Sequence, residues 1–236
     1  MAEVIIVTPV KDSMQTTLQT IESIHKSDVN LYHYVFNDFS SPQSISMLEK
    51  AQQKFGFKLI HLENVTNNPS PNYKLVLQMA QKIANEKSLP LIIVESDVIV
   101  KSNTVSNLLK IAQCNDNTAL VGAITTDIEG KYNFPYNFEK IKSPETTNTS
   151  HSLSFCCTLI SSDFLNKFDF KDLSQKKDWY DVFISRKAKK MGFNNYLAKG
   201  VEVIHIPHSS RPWKNLKYSN PFLYYLKKLV NKRDRI

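Results

Sequence analysis

Glu95 and Asp97 of Glu95-Ser96-Asp97 are two carboxylates one residue apart. They directly follow the apolar run Leu91-Ile92-Ile93-Val94 and precede a second apolar triplet, Val98-Ile99-Val100. In extended backbone, positions i and i+2 face the same way. Two acids so placed at a strand end repel each other unless a cation or ligand hydroxyls lie between them. A hard divalent ion shared with diphosphate oxygens resolves that repulsion. Three more acids, Asp12, Asp38 and Glu63, fall at expected strand ends. Asp12 reads first as a helix cap and Glu63 as a solvated loop acid. Asp38 reads as an Asx turn or cap before Pro42, or as a ligand contact.

The elements that would position these acids follow from periodicity. Val4 to Val7, Leu31 to Phe36, Phe57 to Leu62 and Leu91 to Val94 are short apolar runs of strand length. Helical spacing separates them over about 13–27, from Pro42 to Phe55, and from Asn72 to Glu86, with Gly56 as a C-cap. A further helix is expected over about 102–113. Tandem strand–helix units predict an α/β domain with a mainly parallel central sheet flanked by helices. Ligands then bind outside the carboxyl ends of the strands. In the second half, Leu120 to Ile124, Leu153 to Ile160 and Tyr196 to Ile206 read as strands, and 127–150 as a long loop. Asp178 can cap a helix that runs to Met191, with Gly192 ending it.

Composition narrows the function classes. The 236 residues contain only five glycines, the first being Gly56. The loop after the first strand therefore has neither a dinucleotide fingerprint nor a phosphate-cradling glycine loop, so a nucleotide must be held by side chains. Residues 211–236 hold eight basic side chains and one acid, Asp234, whereas the other 210 residues hold 22 basic and 21 acidic groups. Basic charge confined to a terminal segment argues against nucleic acid and for an anionic membrane surface. Phe222, Leu223, Leu226, Leu229 and Val230 share one helical face there, with Lys227, Lys228 and Lys232 on or beside the other. No apolar run reaches membrane-spanning length, and no secretory signal is visible. Three cysteines, two of them adjacent, argue against a disulfide framework and for a cytoplasmic location, peripheral on the inner face of the cell membrane.

These motifs, taken in order, resemble the inverting GT-A glycosyltransferases of family 2, which use nucleotide-sugar donors. Val4-Ile5-Ile6-Val7-Thr8-Pro9 is similar to the opening strand, and Asn37-Asp38-Phe39-Ser40-Ser41 to the segment that holds base and ribose. Glu95-Ser96-Asp97 stands at the metal-binding Asp-x-Asp. Phe155 to Ser161 resembles the strand before the acceptor site, Tyr180-Asp181 the Glu-Asp pair, and Val201 to His205 the strand ending in histidine. Asn37, Phe39, Glu95, Tyr180 and Phe183 depart from the family pattern.

The resemblance implies a GT-A fold over residues 1–211, with a nucleotide-binding half (1–113), an acceptor-binding half (114–211) and a basic amphipathic tail (212–236). It implies donor contacts from Thr8, Pro9, Asp38, Lys74, Glu95, Ser96 and Asp97. A divalent cation, Mn²⁺ or Mg²⁺, would sit on Asp97 and His205, with His208 as the alternative ligand. Arg211 is a second diphosphate contact beside Lys74. Trp179, Tyr180 and Trp213 are candidates for sugar stacking or core packing. Asp181 would be the general base, in the first turn of a helix whose dipole favours its ionised form, with Asp178 as the second candidate. The donor would be a UDP-sugar, with dTDP-sugar as the alternative, and the acceptor a saccharide or lipid-linked hydroxyl. The competing expectation is a non-catalytic nucleotide-sugar or carbohydrate-binding module on the same fold.

Overall fold

The structure is a computed structural model of the whole chain, and it describes residues 3–136, 145–174 and 179–206, together with 220, 223 and 226. Its first half alternates as the periodicity predicts: β1 (Val4–Val10), α1 (Met14–His25), β2 (Leu31–Asn37), α2 (Pro42–Phe55), β3 (Lys58–His61), α3 (Tyr73–Lys87) and β4 (Leu91–Val94). A two-residue β5 (Val98–Ile99) and α4 (Thr104–Cys114) follow. Then come β6 (Thr118–Thr126), β7 (Thr146–Asn148), β8 (Cys157–Ile160), α5 (Ser162–Lys167), α6 (Tyr180–Lys190) and β9 (Asn194–His205).

The strands form one sheet in the order β3-β2-β1-β4-β8-β6-β9-β5, with β7 added on β9. From β3 to β4 all neighbours are parallel. β8 is inserted antiparallel between β4 and β6, and β6 and β9 are again parallel. The β1 and β4 runs are apolar at every position from Val4 to Val7 and from Leu91 to Val94, because both sheet faces are covered. Ile5, Val7, Leu91 and Ile93 face a core shared with α3, α5 and α6. Val4, Ile6, Ile92 and Val94 face the opposite core, with Val105 and Leu108 of α4. Fully burying each such side chain stabilises the fold by about 1.5–3 kcal/mol.

Helix ends follow local chemistry. Pro42 opens α2 with its fixed φ, the Ser41 hydroxyl accepts from the Ser44 N–H at 3.4 Å, and Gly56 ends the helix at φ 72°. The cap expected of Asp12 is on a different helix: its Oδ1 accepts from the Ser41 N–H at 2.8 Å and the Ser44 hydroxyl at 2.9 Å, at the start of α2. Burial opposes the charge on Asp12, but these hydrogen bonds and Lys11 outweigh it and hold the carboxyl below its ordinary value.

Three expectations are corrected. Leu153 to Ile160 is a strand only from Cys157. Before it, the Leu153 N–H donates to the Ser185 hydroxyl and the Ser154 N–H to the Tyr136 hydroxyl, each at 3.0 Å, so side chains replace a ladder. The 127–150 segment contains β7 on the edge of β9, and Asp127 closes a turn by accepting from the N–H groups of Glu129 and Lys131, both at 2.9 Å. The last helix starts at Tyr180 with Trp179 at its N-cap, and Asp178 lies outside the described residues. Of the tail, Leu223 and Leu226 are helical, and the Leu223 N–H donates to the Asn220 side chain at 3.0 Å, a cap for that segment.

His33 is buried beneath β1, its Nε2 hydrogen-bonded to the Thr8 hydroxyl at 3.0 Å. Burial, aided by His25, pushes its imidazole down to about 3. The folded state therefore keeps His33 neutral while the unfolded chain protonates it below its ordinary 6.5. Its contribution to stability is full above that value and falls as pH drops, by at most about 1.4 kcal/mol per pH unit. Melting temperatures between pH 7 and 5 should decline less steeply in His33→Gln than in the unsubstituted chain. Parallel slopes would refute this origin of acid sensitivity.

Candidate functional site

Glu95-Ser96-Asp97 is not extended. It forms a turn, closed by the Val98 N–H donating to the Glu95 carbonyl at 3.2 Å. The turn rather than strand alternation sets the two carboxylates, which corrects the geometry expected from the sequence. Asp97 points inward and is 3% exposed, whereas Glu95 is only partly buried. β5, directly after the turn, pairs antiparallel with β9 so that Val98 lies opposite His205. The Ile206 N–H extends this ladder to the Asp97 carbonyl at 2.8 Å.

This register brings the His205 imidazole to the Asp97 carboxylate, with Nε2 to Oδ2 at 3.5 Å and both side chains buried. His205 Nδ1 lies 2.8 Å from the Phe134 carbonyl, which can only accept, so Nδ1 carries the proton. The other ring nitrogen, Nε2, then faces the Asp97 carboxylate, and either a proton on Nε2 or a cation between the two joins them. The backbone contact to Nδ1 is the kind of second-shell bond that orients a metal-ligating histidine. The donor set of Asp97 and His205 therefore fits a divalent cation.

Residues that the sequence reading did not single out complete the surroundings. The Cys156 thiol donates to Glu95 Oε2 at 3.7 Å and accepts from the Ser154 hydroxyl at 3.3 Å. The ligand atoms of Glu95, Cys156 and His205 all lie within 4.8 Å of one another. Asn133 donates to the His205 carbonyl at 2.8 Å, so the 127–136 segment holds His205 at two points. Tyr136 is buried behind it. Burial raises its phenol far above the ordinary value; the Ser154 N–H opposes this, and the charges of Cys156 and Asp181 reinforce it. The only sequence signal was the aromatic alternation Tyr132, Phe134, Tyr136 in an otherwise polar stretch.

The other expected residues have distinct placements. Asp181 is in the first turn of α6, partly buried, its Oδ1 accepting from the Val182 N–H at 2.8 Å. Asp38 is 8% exposed, and its carboxylate accepts from the Ser70 hydroxyl at 2.7 Å, the Asn72 N–H at 2.9 Å and the Asn72 amide at 2.8 Å. It thus anchors the loop before α3. The Thr8 hydroxyl lies against His33, Pro9 is partly buried near the end of β1, and Ser96 is buried in the turn. The Lys74 ammonium donates to the carbonyls of Lys171 and Leu173, on the segment after α5. Tyr180 stacks on Tyr73 at 6.3 Å as part of the core. His208, Arg211 and Trp213 lie outside the described residues.

The glycosyl transferase family 2 profile matches residues 5–168, and the chain belongs to this family. No curated protein matches the sequence. Among solved structures it is similar to a mannosyltransferase from Pyrobaculum calidifontis, PcManGT, in complex with GDP-Man and Mn²⁺. That match has 11% identity and a TM-score of 0.66, over 98% of this chain and 64% of that one. S. aureus TarS residues 1–349 give 14% identity and a TM-score of 0.62 over 86% and 60%. GalNAc-T7 with UDP, GalNAc and Mn²⁺ gives 14% and 0.64 over 89% and 45%. The chain thus spans roughly half to two thirds of the length of these structures, and it shares their GT-A fold, a curled sheet flanked by helices.

If the Asp97–His205 pair holds a cation, Asp97→Asn should keep the fold but lose Mn²⁺-dependent stabilisation by a nucleotide sugar. A ligand at 100 times its Kd adds about 2.7 kcal/mol, a readable thermal shift. Equal shifts in variant and parent, with and without Mn²⁺, would count against the cation site.

Proposed function

We propose that the chain is an inverting hexosyltransferase, moving a sugar from a nucleoside-diphosphate donor to a hydroxyl of a saccharide or lipid-linked acceptor. The observation that carries this reading is the buried Asp97–His205 pair at the sheet end of a family 2 domain. Asp97 and His205 would hold the divalent cation, Mn²⁺ or Mg²⁺, which neutralises charge on the leaving diphosphate. The GDP-Man, UDP and Mn²⁺ bound in the similar structures support a nucleotide-sugar donor. A UDP-sugar is the first donor to test and a dTDP-sugar the second.

Donor contacts are assigned to Thr8, Pro9, Asp38, Lys74, Glu95, Ser96 and Asp97. Glu95, partly exposed at the turn, is suited to accept from donor hydroxyls. Asp38 would act by fixing the loop before α3 beside the donor, since its oxygens already hold Ser70 and Asn72. Asp181 would accept the proton of the acceptor hydroxyl as that oxygen bonds to the anomeric carbon. The nucleoside diphosphate leaves from the opposite face. The α6 N-terminus favours the ionised carboxylate this requires. Residues 1–113 would form the nucleotide half of the 1–211 domain, 114–211 the acceptor half, and 212–236 a membrane-facing tail near a lipid-linked acceptor at the inner face of the cell membrane. A binding module without turnover is the second reading, favoured by Tyr180 where the family pattern has glutamate and Glu95 where it has aspartate. Measurable donor hydrolysis decides against it.

Asp181→Asn keeps shape but cannot take the proton, so turnover should fall about 10²–10⁴-fold with donor KM little changed. Asp178→Asn should be milder, because α6 begins at Tyr180 with Trp179 at its N-cap and residue 178 precedes the cap. The reverse order would reassign the base to Asp178; two mild effects would remove this helix from the chemistry. For the tail, flotation on anionic liposomes should be salt-sensitive and lost when 221–236 are removed. Flotation indifferent to both would exclude the membrane role.

A further inference from the structure

We propose that Cys156 is a third protein ligand at this site and that, with His205 and Glu95, it makes the site one for a borderline metal ion of the zinc type. The inference deepens the reading of Asp97 and His205 as a cation site and rests on it. Bond lengths of about 2.0–2.3 Å put ligand atoms on one tetrahedral zinc roughly 3.3–3.6 Å apart. Cys156 Sγ and Glu95 Oε2 are already 3.7 Å apart, and a ring nitrogen of His205 lies within 4.8 Å of both groups. A thiol donating to a carboxylate would explain the first contact alone. It does not explain an imidazole nitrogen that the Phe134 carbonyl orients into the same space. Asp97 Oδ2, 3.5 Å from His205 Nε2, adjoins this group of three without belonging to it, and the fourth position on the ion is left to a further ligand.

The donor chemistry selects the ion. Carboxylates alone suit Mg²⁺ and Mn²⁺, whereas thiolate and imidazole together suit Zn²⁺. Cys156 and His205 are 2% and 3% exposed, so water competes poorly for the ion. The thiol loses its proton to solvent as the sulfur–metal bond forms, and the ion's positive charge stabilises the thiolate. Cys157 is not an equivalent donor, because it belongs to no ligand cluster among the described residues. Sulfur-bound zinc would draw Glu95 and His205 toward the sheet and away from a donor diphosphate. Zn²⁺ and the Mn²⁺–donor complex should therefore compete.

The test is Co²⁺ titration of the full chain, which reports sulfur ligation through a thiolate-to-cobalt charge-transfer band in the near ultraviolet. Cys114 is exposed on α4 and is replaced by C114S throughout, so that a surface thiol cannot produce the band. The expected result is a band that saturates and is discharged by Zn²⁺. It should be absent in Cys156→Ser, which should bind Zn²⁺ roughly 10-fold or more weakly. Circular dichroism checks that this variant is folded. If it is not, Glu95→Gln should retain the band with weakened affinity. A Co²⁺ spectrum lacking the band in the parent, or a band unchanged in folded Cys156→Ser, overturns the proposal. Mn²⁺-dependent stabilisation of the parent by a nucleotide sugar is measured in parallel. If it persists without the band, only the sulfur ligand is lost; if the band is present and no nucleotide sugar binds, only the transferase reading is lost.

Discussion

The two-residue ladder between β5 and β9 ties the halves of this chain together at the site. Side chains alternate along a strand, so a one-residue slip would turn His205 away from Asp97. The observed register puts Val98 opposite His205, and the Asp97 carbonyl receives the Ile206 N–H. The rest of the site depends on where His205 then stands. Its carbonyl and its Nδ1 hold Asn133 and Phe134, so the segment that leads to Tyr136 is fixed from β9 as well as from Thr125 and Thr126 of β6. A carboxylate from the β4–β5 turn, an imidazole from the last described strand and a thiol from the turn just before β8 thereby meet, although more than a hundred residues separate the first from the second.

The strand-end acids divide into two kinds by what reaches them. Asp12 and Asp38 receive several N–H and O–H donors and organise loops. Asp97 instead faces a histidine nitrogen and Glu95 a thiol. The same logic accounts for two departures from the family pattern. Asn37 donates to His61 at 3.1 Å and to Glu63 at 3.3 Å and 3.4 Å; an aspartate there would set a like charge against Glu63. Phe39 adopts φ 58°, the left-handed conformation that the glycine of the pattern reaches without strain. The cost of roughly 1–2 kcal/mol is offset where its ring packs against the core and the Lys11 ammonium holds its carbonyl.

The alternation of apolar runs made the first half legible, because each parallel strand is buried on both faces and each helix on one. Leu91–Val94 and Pro42–Phe55 are where the spacing puts them. Strand order was not legible: that β8 would run antiparallel between β4 and β6 depends on long-range packing, not on local pattern. β5 and β7 escape notice because two or three residues, with Thr146-Thr147-Asn148 polar throughout, give periodicity nothing to repeat. Asp97, His205 and Asp181 were visible as chemistry at expected places in the chain. Cys156 was not, since a cysteine in an apolar run looks like any other small core residue until its neighbour across the sheet is known.

Tyr136 packs behind the turn that carries Cys156 toward Glu95. Its hydroxyl accepts from the Ser154 N–H, two residues from the Cys156 sulfur, and its phenol feels the charges of both Cys156 and Asp181. Room for it comes from Gly122 in β6. A Cβ there would stand 3.3 Å from the Tyr136 hydroxyl, 3.2 Å from Leu153 and 3.3 Å from the Thr158 hydroxyl. Tyr136 and Thr158 also shape the turn entering β8: with Ser185, Tyr136 takes its N–H groups, and the Thr158 hydroxyl donates to the Ser154 carbonyl at 2.7 Å. A side chain at position 122 would press on Tyr136, Leu153 and Thr158 at once. The missing Cβ of one β6 residue thus makes room for the buried phenol that takes the Ser154 N–H, and so for the turn that leads Cys156 into β8.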